Sequence, residues 1–150
     1  MLAGVGKTNT DRGILYIGID NGQNYCVGFW GYPINNGVTW PLNTYHVLAA
    51  TYAPTGTKTN LYCDGKRIIT DNTSSTANID ATGGVAVGCI YDPGDGYWQY
   101  QWNGSTDFAI VYSRTLTPEE VRSISNNPWQ IYEPETVWLK SGQIIAWIGV

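Results

Sequence analysis

The chain has 150 residues, 43% of them hydrophobic and only 13% charged, with a formal net charge of −4. So few charges argue against a long salt-bridged helical bundle, and the acidic balance excludes a nucleic-acid binder that tracks phosphates with a basic stripe. No apolar run reaches the roughly 20 residues of a membrane-spanning helix, and the abundance of Gly with 7 Trp and 11 Tyr is the composition of an all-β domain with tight turns.

Taken in chain order, Met1–Lys7 lacks the charged-then-apolar build of a signal peptide. Gly4-Val5-Gly6-Lys7-Thr8 imitates a phosphate loop, but Met1 stands where the motif needs glycine and neither flanking element is present, so a flexible N-terminal segment is expected. Gly13–Ile19 alternates Leu15, Ile17 and Ile19 on one face, Asp20-Asn21-Gly22 turns, and Tyr25–Trp30 returns as a hairpin. Tyr45–Tyr52 predicts a strand. Asn60–Cys63 and Lys66–Thr70 flank Asp64-Gly65, one of the strongest short hairpin signals. Gly84–Ile90, Trp98–Trp102 and Asp107–Tyr112 predict further strands, with a Gly/Asp loop at Asp92–Gly96. Short strands at this spacing read as a sandwich or barrel.

One helix interrupts the pattern near residues 118–126. Thr117-Pro118-Glu119-Glu120 supplies an N-cap threonine, proline at the first position and a capping-box glutamate, and Asn126-Asn127-Pro128 stops the helix. Beyond it, Val137–Leu139 and Ile144–Ile148 predict a C-terminal β extension turning at Ser141-Gly142.

Cys26, Cys63 and Cys89 are an odd set inside apolar, strand-like stretches and read as three small buried hydrophobes. They fit a chain made in a reducing cytoplasm. With no Cys-x-x-Cys pair, and with His46 having no neighbouring ligand in sequence, zinc binding is not expected.

The order of motifs resembles a known family. Tyr45–Tyr52, Leu61-Tyr62-Cys63-Asp64-Gly65-Lys66, Gly84–Gly88, Gly104, Asp107–Arg114 and Leu116–Val121 are similar to laminin G-like domains of the concanavalin A-like lectin/glucanase superfamily. The resemblance implies a jelly-roll sandwich of two antiparallel sheets. It places the domain at residues 1–128, with first strands short or missing and an edge left unpaired, and an aromatic extension at residues 129–150. The Asn127-Pro128-Trp129-Gln130 step is similar to phage- and prophage-encoded members.

Function is expected to be non-catalytic. A glycoside hydrolase needs two carboxylates across one sugar ring, yet the glutamates (Glu119, Glu120, Glu133, Glu135) sit on the helix and in the tail, and no strand carries two acids on one face. No nucleophile elbow is present either. Tyr91, Tyr97, Trp98, Tyr100 and Trp102 form an aromatic stripe that is either sandwich core or a sugar platform, and Asp92 with Asp95 is a candidate calcium pair on a Gly-rich loop. Trp129, Tyr132, Trp138 and Trp147 are too many aromatics for an open monomer surface, so they pack on this domain or on a neighbouring subunit.

The expectation is thus a carbohydrate-binding or adhesion module of a virion or extracellular surface assembly, with a homo-oligomer or other virion proteins as partners. The alternative is a structural or decoration protein of a viral particle, and the remote one a glycoside hydrolase.

Overall fold

The computed structural model describes residues 3–6, 13–20, 22–29, 32–41, 43–53, 58–71, 78–79, 84–92, 97–99 and 101–132. Strands β1 (Ala3–Gly6), β2 (Ile14–Ile19), β3 (Asn24–Phe29), β4 (Tyr32–Thr39) and β8 (Val85–Val87) form one antiparallel sheet in the order β4-β3-β2-β1-β8. Strands β5 (Leu48–Ala53), β6 (Lys58–Cys63) and β7 (Lys66–Asp71) form the opposing antiparallel sheet. A separate ribbon pairs β9 (Ile90–Asp92) with β10 (Tyr97–Gln99). This is the expected sandwich, with β3 over β6, β2 over β5 and β4 over β7.

The core lies between these stacked strands. Tyr25 and Val27 of β3 meet Leu61 of β6, Ile69 of β7 and Trp40, while Leu15, Ile17, Leu48 and Ala50 pack around them, half-buried. Strand alternation explains the set: Tyr25, Val27 and Phe29 are two residues apart and so point the same way. Phe29 meets Tyr52 edge-on across the sheets at 5.2 Å. Each such side chain taken fully out of water contributes about 1.5–3 kcal/mol.

Both predicted hairpins form. In the first, Asp20 rather than a glycine dictates the turn: its Oδ1 accepts the N–H groups of Gly22 (2.8 Å) and Asn24 (2.9 Å), and its Oδ2 accepts from the Asn35 side chain (2.9 Å). These bonds hold Gln23 at φ 62°, so the left-handed residue of the turn is not Gly22. In the second, Asp64 (φ 50°) and Gly65 (φ 74°) adopt the paired left-handed conformation that Asp-Gly favours.

Four differences from the sequence expectations have physical causes. The N-terminal segment is not a flexible leader. Ala3–Gly6 is β1, paired with β2 on one side and β8 on the other, so the edge expected to be unpaired is filled. Gly6 permits this: a Cβ there would lie 2.1 Å from the Gly13 carbonyl oxygen, and its φ is +117°. β4 escapes the sequence reading because Pro33, Asn35, Asn36 and Gly37 are poor strand formers, tolerated because β4 is the sheet edge.

The strand expected from Tyr45 begins only at Leu48, because the backbone of Val47 is bonded to Asp64 instead. Finally, the strand expected at Trp98–Trp102 forms only as far as Gln99, in β10, and residues 101–117, which hold the strand expected at Asp107–Tyr112, form no ladder. Phe108 and Ile110 still alternate with exposed Ala109 and Val111, so this run covers the sandwich interior by side chain without strand pairing.

Helix α1 (Pro118–Asn126) has the expected capping box: Thr117 Oγ1 accepts from the Glu120 N–H at 3.2 Å, and Glu120 accepts from the Thr117 N–H at 2.8 Å. The Arg114 guanidinium adds a forked pair to the same carboxylate, at 2.6 and 2.8 Å. Val121 is fully buried, and a Thr115 hydroxyl bond to the Tyr52 carbonyl (2.6 Å) holds the segment leading into the helix against β5. The Asn127 N–H closes the helix on Ser123, and a 3-10 turn (Gln130–Tyr132) follows. No described helix is long and apolar enough to cross a membrane. The C-terminal β extension expected over 137–148 lies outside the described residues.

Candidate functional site

Two sites stand out, one predicted and one not. The aromatic stripe is described only in part. Backbone pairing in the β9–β10 ribbon sets Tyr91 opposite Trp98 and Asp92 opposite Tyr97. Trp102 instead packs against the core cluster, with its ring edge-on to Trp40 at 5.7 Å and its backbone N–H donating to the Gly88 carbonyl. Tyr100 lies outside the described residues, as does Asp95 of the calcium pair. Of the assembly residues, Trp129 packs on Phe108 of its own domain (5.6 Å) and on Tyr132 (6.2 Å), yet remains 49% exposed; Tyr132 is 74% exposed. Trp138 and Trp147 fall outside the described residues.

The second site was not foreseen. His46, read from sequence as lacking a partner, stands at the centre of a polar cluster. Pairing of β5 with β6 sets Leu48 opposite Cys63, so the residues just before Leu48 meet the Asp64-Gly65 turn just after Cys63. His46 Nδ1 lies 2.7 Å from Asp64 Oδ2 and 3.7 Å from Cys63 Sγ, and Cys63 Sγ lies 3.6 Å from Asp64 Oδ2. The Tyr25 hydroxyl is 3.4 Å from the same sulfur. On the far side of the imidazole, Nε2 is 3.0 Å from Thr44 Oγ1, whose hydroxyl donates to the Pro41 carbonyl at 3.0 Å. Trp40 packs edge-on against the imidazole at 5.4 Å and fixes its plane.

The frame around this cluster is stiff. Asp64 Oδ1 accepts the Val47 N–H at 2.9 Å, and the Asp64 N–H donates to the Val47 carbonyl at 2.9 Å. Behind the turn, Gly65 presses on α1: a Cβ at that position would meet Arg122 Cα at 3.0 Å. Burial pushes the Asp64 carboxyl up, but the His46 contact and the Val47 N–H outweigh it and hold the group below its ordinary range. The Cys63 thiol is raised, by burial above all and by the neighbouring Asp64 charge, against a lowering contribution from Tyr25. Cys26 is buried and pushed up to about 11, which makes it an inert core thiol; Cys63 and Cys89 are only half-buried, less than expected.

A groove of about 610 Å³ runs between β1, β2 and β5 and the 106–116 run, lined by Leu15, Ile17, Leu48, Ala50, Phe108 and Ile110. It is the sandwich interior continued toward the surface.

A laminin G family model, described as the concanavalin A-like lectin/glucanases superfamily, matches residues 3–122. The chain belongs to this superfamily. Its β1, absent from the sequence reading, begins where the match begins, and α1 holds the end of the match. No curated protein matches the sequence at a significant level. Among solved structures, residues 221–444 of an S-layer domain-containing protein from Clostridium thermocellum align with a TM-score of 0.47 and 16% identity, over 80% of this chain and 59% of that one. The superfamily domain therefore spans less than two thirds of that structure's length.

Proposed function

We propose that this lectin/glucanase-superfamily domain is a non-catalytic binding module of a surface assembly, with a glycan as its ligand. The observation that carries the reading is the β9–β10 register, which pairs Asp92 with Tyr97 and Tyr91 with Trp98 across the ribbon. Aromatic rings present flat apolar faces to a sugar ring, and carboxylates accept its hydroxyls. The non-catalytic part is supported by the acids themselves. Asp20, Asp64 and Glu120 are all held below their ordinary range by hydrogen bonds within the fold, the opposite of what a general acid needs.

The test is glycan-array binding of the full chain and of Trp98→Ala, with and without calcium, alongside circular dichroism. Glycan binding that is lost in Trp98→Ala with an unchanged spectrum supports the reading; no glycan bound under either condition overturns it.

A second reading, a structural or decoration protein, is favoured by the exposed side chains of Trp129, Ile131, Tyr132, Val85 and Val111. In it the 129–150 extension contacts neighbouring copies on a particle such as a phage virion, a setting supported by the Asn127–Gln130 resemblance. Light scattering on the full chain and on a chain ending at Pro128 separates the readings. An oligomer that dissociates on truncation favours the second, and a full-length monomer favours the first.

A further inference from the structure

Three metal-ligating atoms converge at the β6–β7 turn, all within 4.8 Å of one another. The Thr44 hydroxyl donates to the Pro41 carbonyl, which leaves its oxygen free to accept from His46 Nε2–H at 3.0 Å. With the neutral ring's proton on Nε2, Nδ1 presents a bare lone pair. That lone pair faces the Asp64 carboxylate at 2.7 Å and the Cys63 sulfur at 3.7 Å. An imidazole nitrogen, a carboxylate oxygen and a thiol sulfur this close together form a donor set that one cation can bridge once the thiol gives up its proton.

We propose that His46 Nδ1, Cys63 Sγ and Asp64 Oδ2 form a site for zinc or a zinc-like divalent cation, with water as the fourth ligand.

The donor set and its spacing argue for this metal class. Imidazole, thiolate and carboxylate are the three ligand types zinc takes, and three protein donors with one open position is a familiar zinc arrangement. Bonds of about 2.0–2.3 Å in a tetrahedron place donors roughly 3.3–3.6 Å apart. Here two of the three edges are 3.7 and 3.6 Å, and only the 2.7 Å edge, a contact that a shared proton shortens, must open by about half an ångström. The supporting contacts suit a metal-bound histidine, whose other ring nitrogen is held by a polar partner; Thr44 fills that role. The Val47–Asp64 bridge and the contact of Gly65 with Arg122 hold the turn rigid. Asp64 is the exposed member (55%) and gives the ion its way in, while His46 (16%) is largely covered.

Binding forms one metal–nitrogen, one metal–oxygen and one metal–sulfur bond, and the Cys63 thiol proton leaves to the buffer; nothing is oxidised or reduced. The bound ion would staple the β5 approach to the β6–β7 turn and keep one coordination position open to solvent.

The experiment uses the full chain, stripped with chelator in reducing buffer and titrated with Co²⁺, then with competing Zn²⁺. The expected result is one equivalent of cobalt, with a thiolate-to-cobalt charge-transfer band and tetrahedral visible bands that zinc abolishes. Cys63→Ser removes the charge-transfer band. Thr44→Val weakens zinc by about 10–100-fold, the range for loss of a ligand's support, and His46→Gln, which removes a ligand outright, weakens it further. Cys89→Ser changes neither. Absence of the band in the wild type means that a proton alone fills the site, as imidazolium, and overturns the proposal. So does a band that survives in Cys63→Ser or disappears in Cys89→Ser. Should Cys63→Ser fail to fold, unchanged zinc affinity in folded His46→Gln overturns it equally.

Discussion

Asp64 and Val47 are bonded to each other twice: the Asp64 carboxylate takes the Val47 N–H, and the Asp64 N–H reaches the Val47 carbonyl, both at 2.9 Å. This bridge ends the β5–β6 ladder, sets the β6–β7 turn and brings His46 to Cys63. One side chain therefore links hairpin geometry to the candidate metal cluster.

Removing that side chain separates its two roles. Asp64→Ala strands the Val47 N–H and loses the residue type that tolerates φ 50°; it is expected to destabilise the domain by about 1–3 kcal/mol. Asp64→Asn keeps an acceptor oxygen and the tolerance of the left-handed region, so its cost is expected to stay below about 1 kcal/mol. Urea unfolding of both variants checks the pair, and equal losses would contradict the assignment.

Glu120 predicts an acid-sensitive helix cap. The Arg114 fork first, then the Thr117 N–H, pull its carboxyl from 4.5 down to about 2. A carboxylate depressed in the folded state stabilises above its unfolded value and loses that contribution as pH falls through its folded one. The urea midpoint of the wild type should therefore exceed that of Glu120→Gln at neutral pH, and the gap should close between pH 4.5 and about 2. Asp20 and Asp64, also depressed, add to acid sensitivity in both proteins and leave the difference intact.

Gly65→Ala tests the packing of α1 on the turn. A φ of +74° costs an L-residue about 1–2 kcal/mol, and the new methyl would lie 3.0 Å from Arg122 Cα, a backbone atom that cannot swing aside. A fall of several degrees in melting temperature is expected, together with weaker protection of α1 amides in hydrogen exchange. Unchanged protection would show that the turn and helix are not coupled.

Trp102 and Trp98 should behave oppositely on truncation. Trp102 packs against the core, so Trp102→Ala is expected to cost about 3 kcal/mol. Trp102→Phe should cost much less, because the buried Trp102 Nε1 has no hydrogen-bond partner among the described residues and phenylalanine carries no such donor. Denaturant midpoints of the three variants decide the ranking, and a Trp98→Ala loss as large as that of Trp102→Ala would place both in the core.

Much of the architecture was legible in local chemistry. The two hairpins announce themselves through Asp20 and Asp64-Gly65, because turn residues act on their own neighbours. Thr117 and Glu120 define the start of α1 for the same reason: a capping box is complete within four residues. Strand alternation in Tyr25, Val27 and Phe29 marks their buried face without reference to any other part of the chain.

What the sequence could not disclose depends on partners distant along the chain. β1 is a strand because β2 and β8 flank it, and β4 is one because an edge tolerates Pro33 and Gly37. Trp102 reads from the sequence as either a platform or a core residue, and only its contact with Trp40 assigns it to the core. His46 lies 18 residues from Asp64, and nothing in either neighbourhood announces the other. The two predicted strands held the signal, since pairing Tyr45–Tyr52 antiparallel with Asn60–Cys63 sets Leu48 against Cys63, next to the Asp64-Gly65 turn. Only that register decided which atoms meet, because side-chain chemistry acts over a few ångströms and the ladder alone brings these residues within that range.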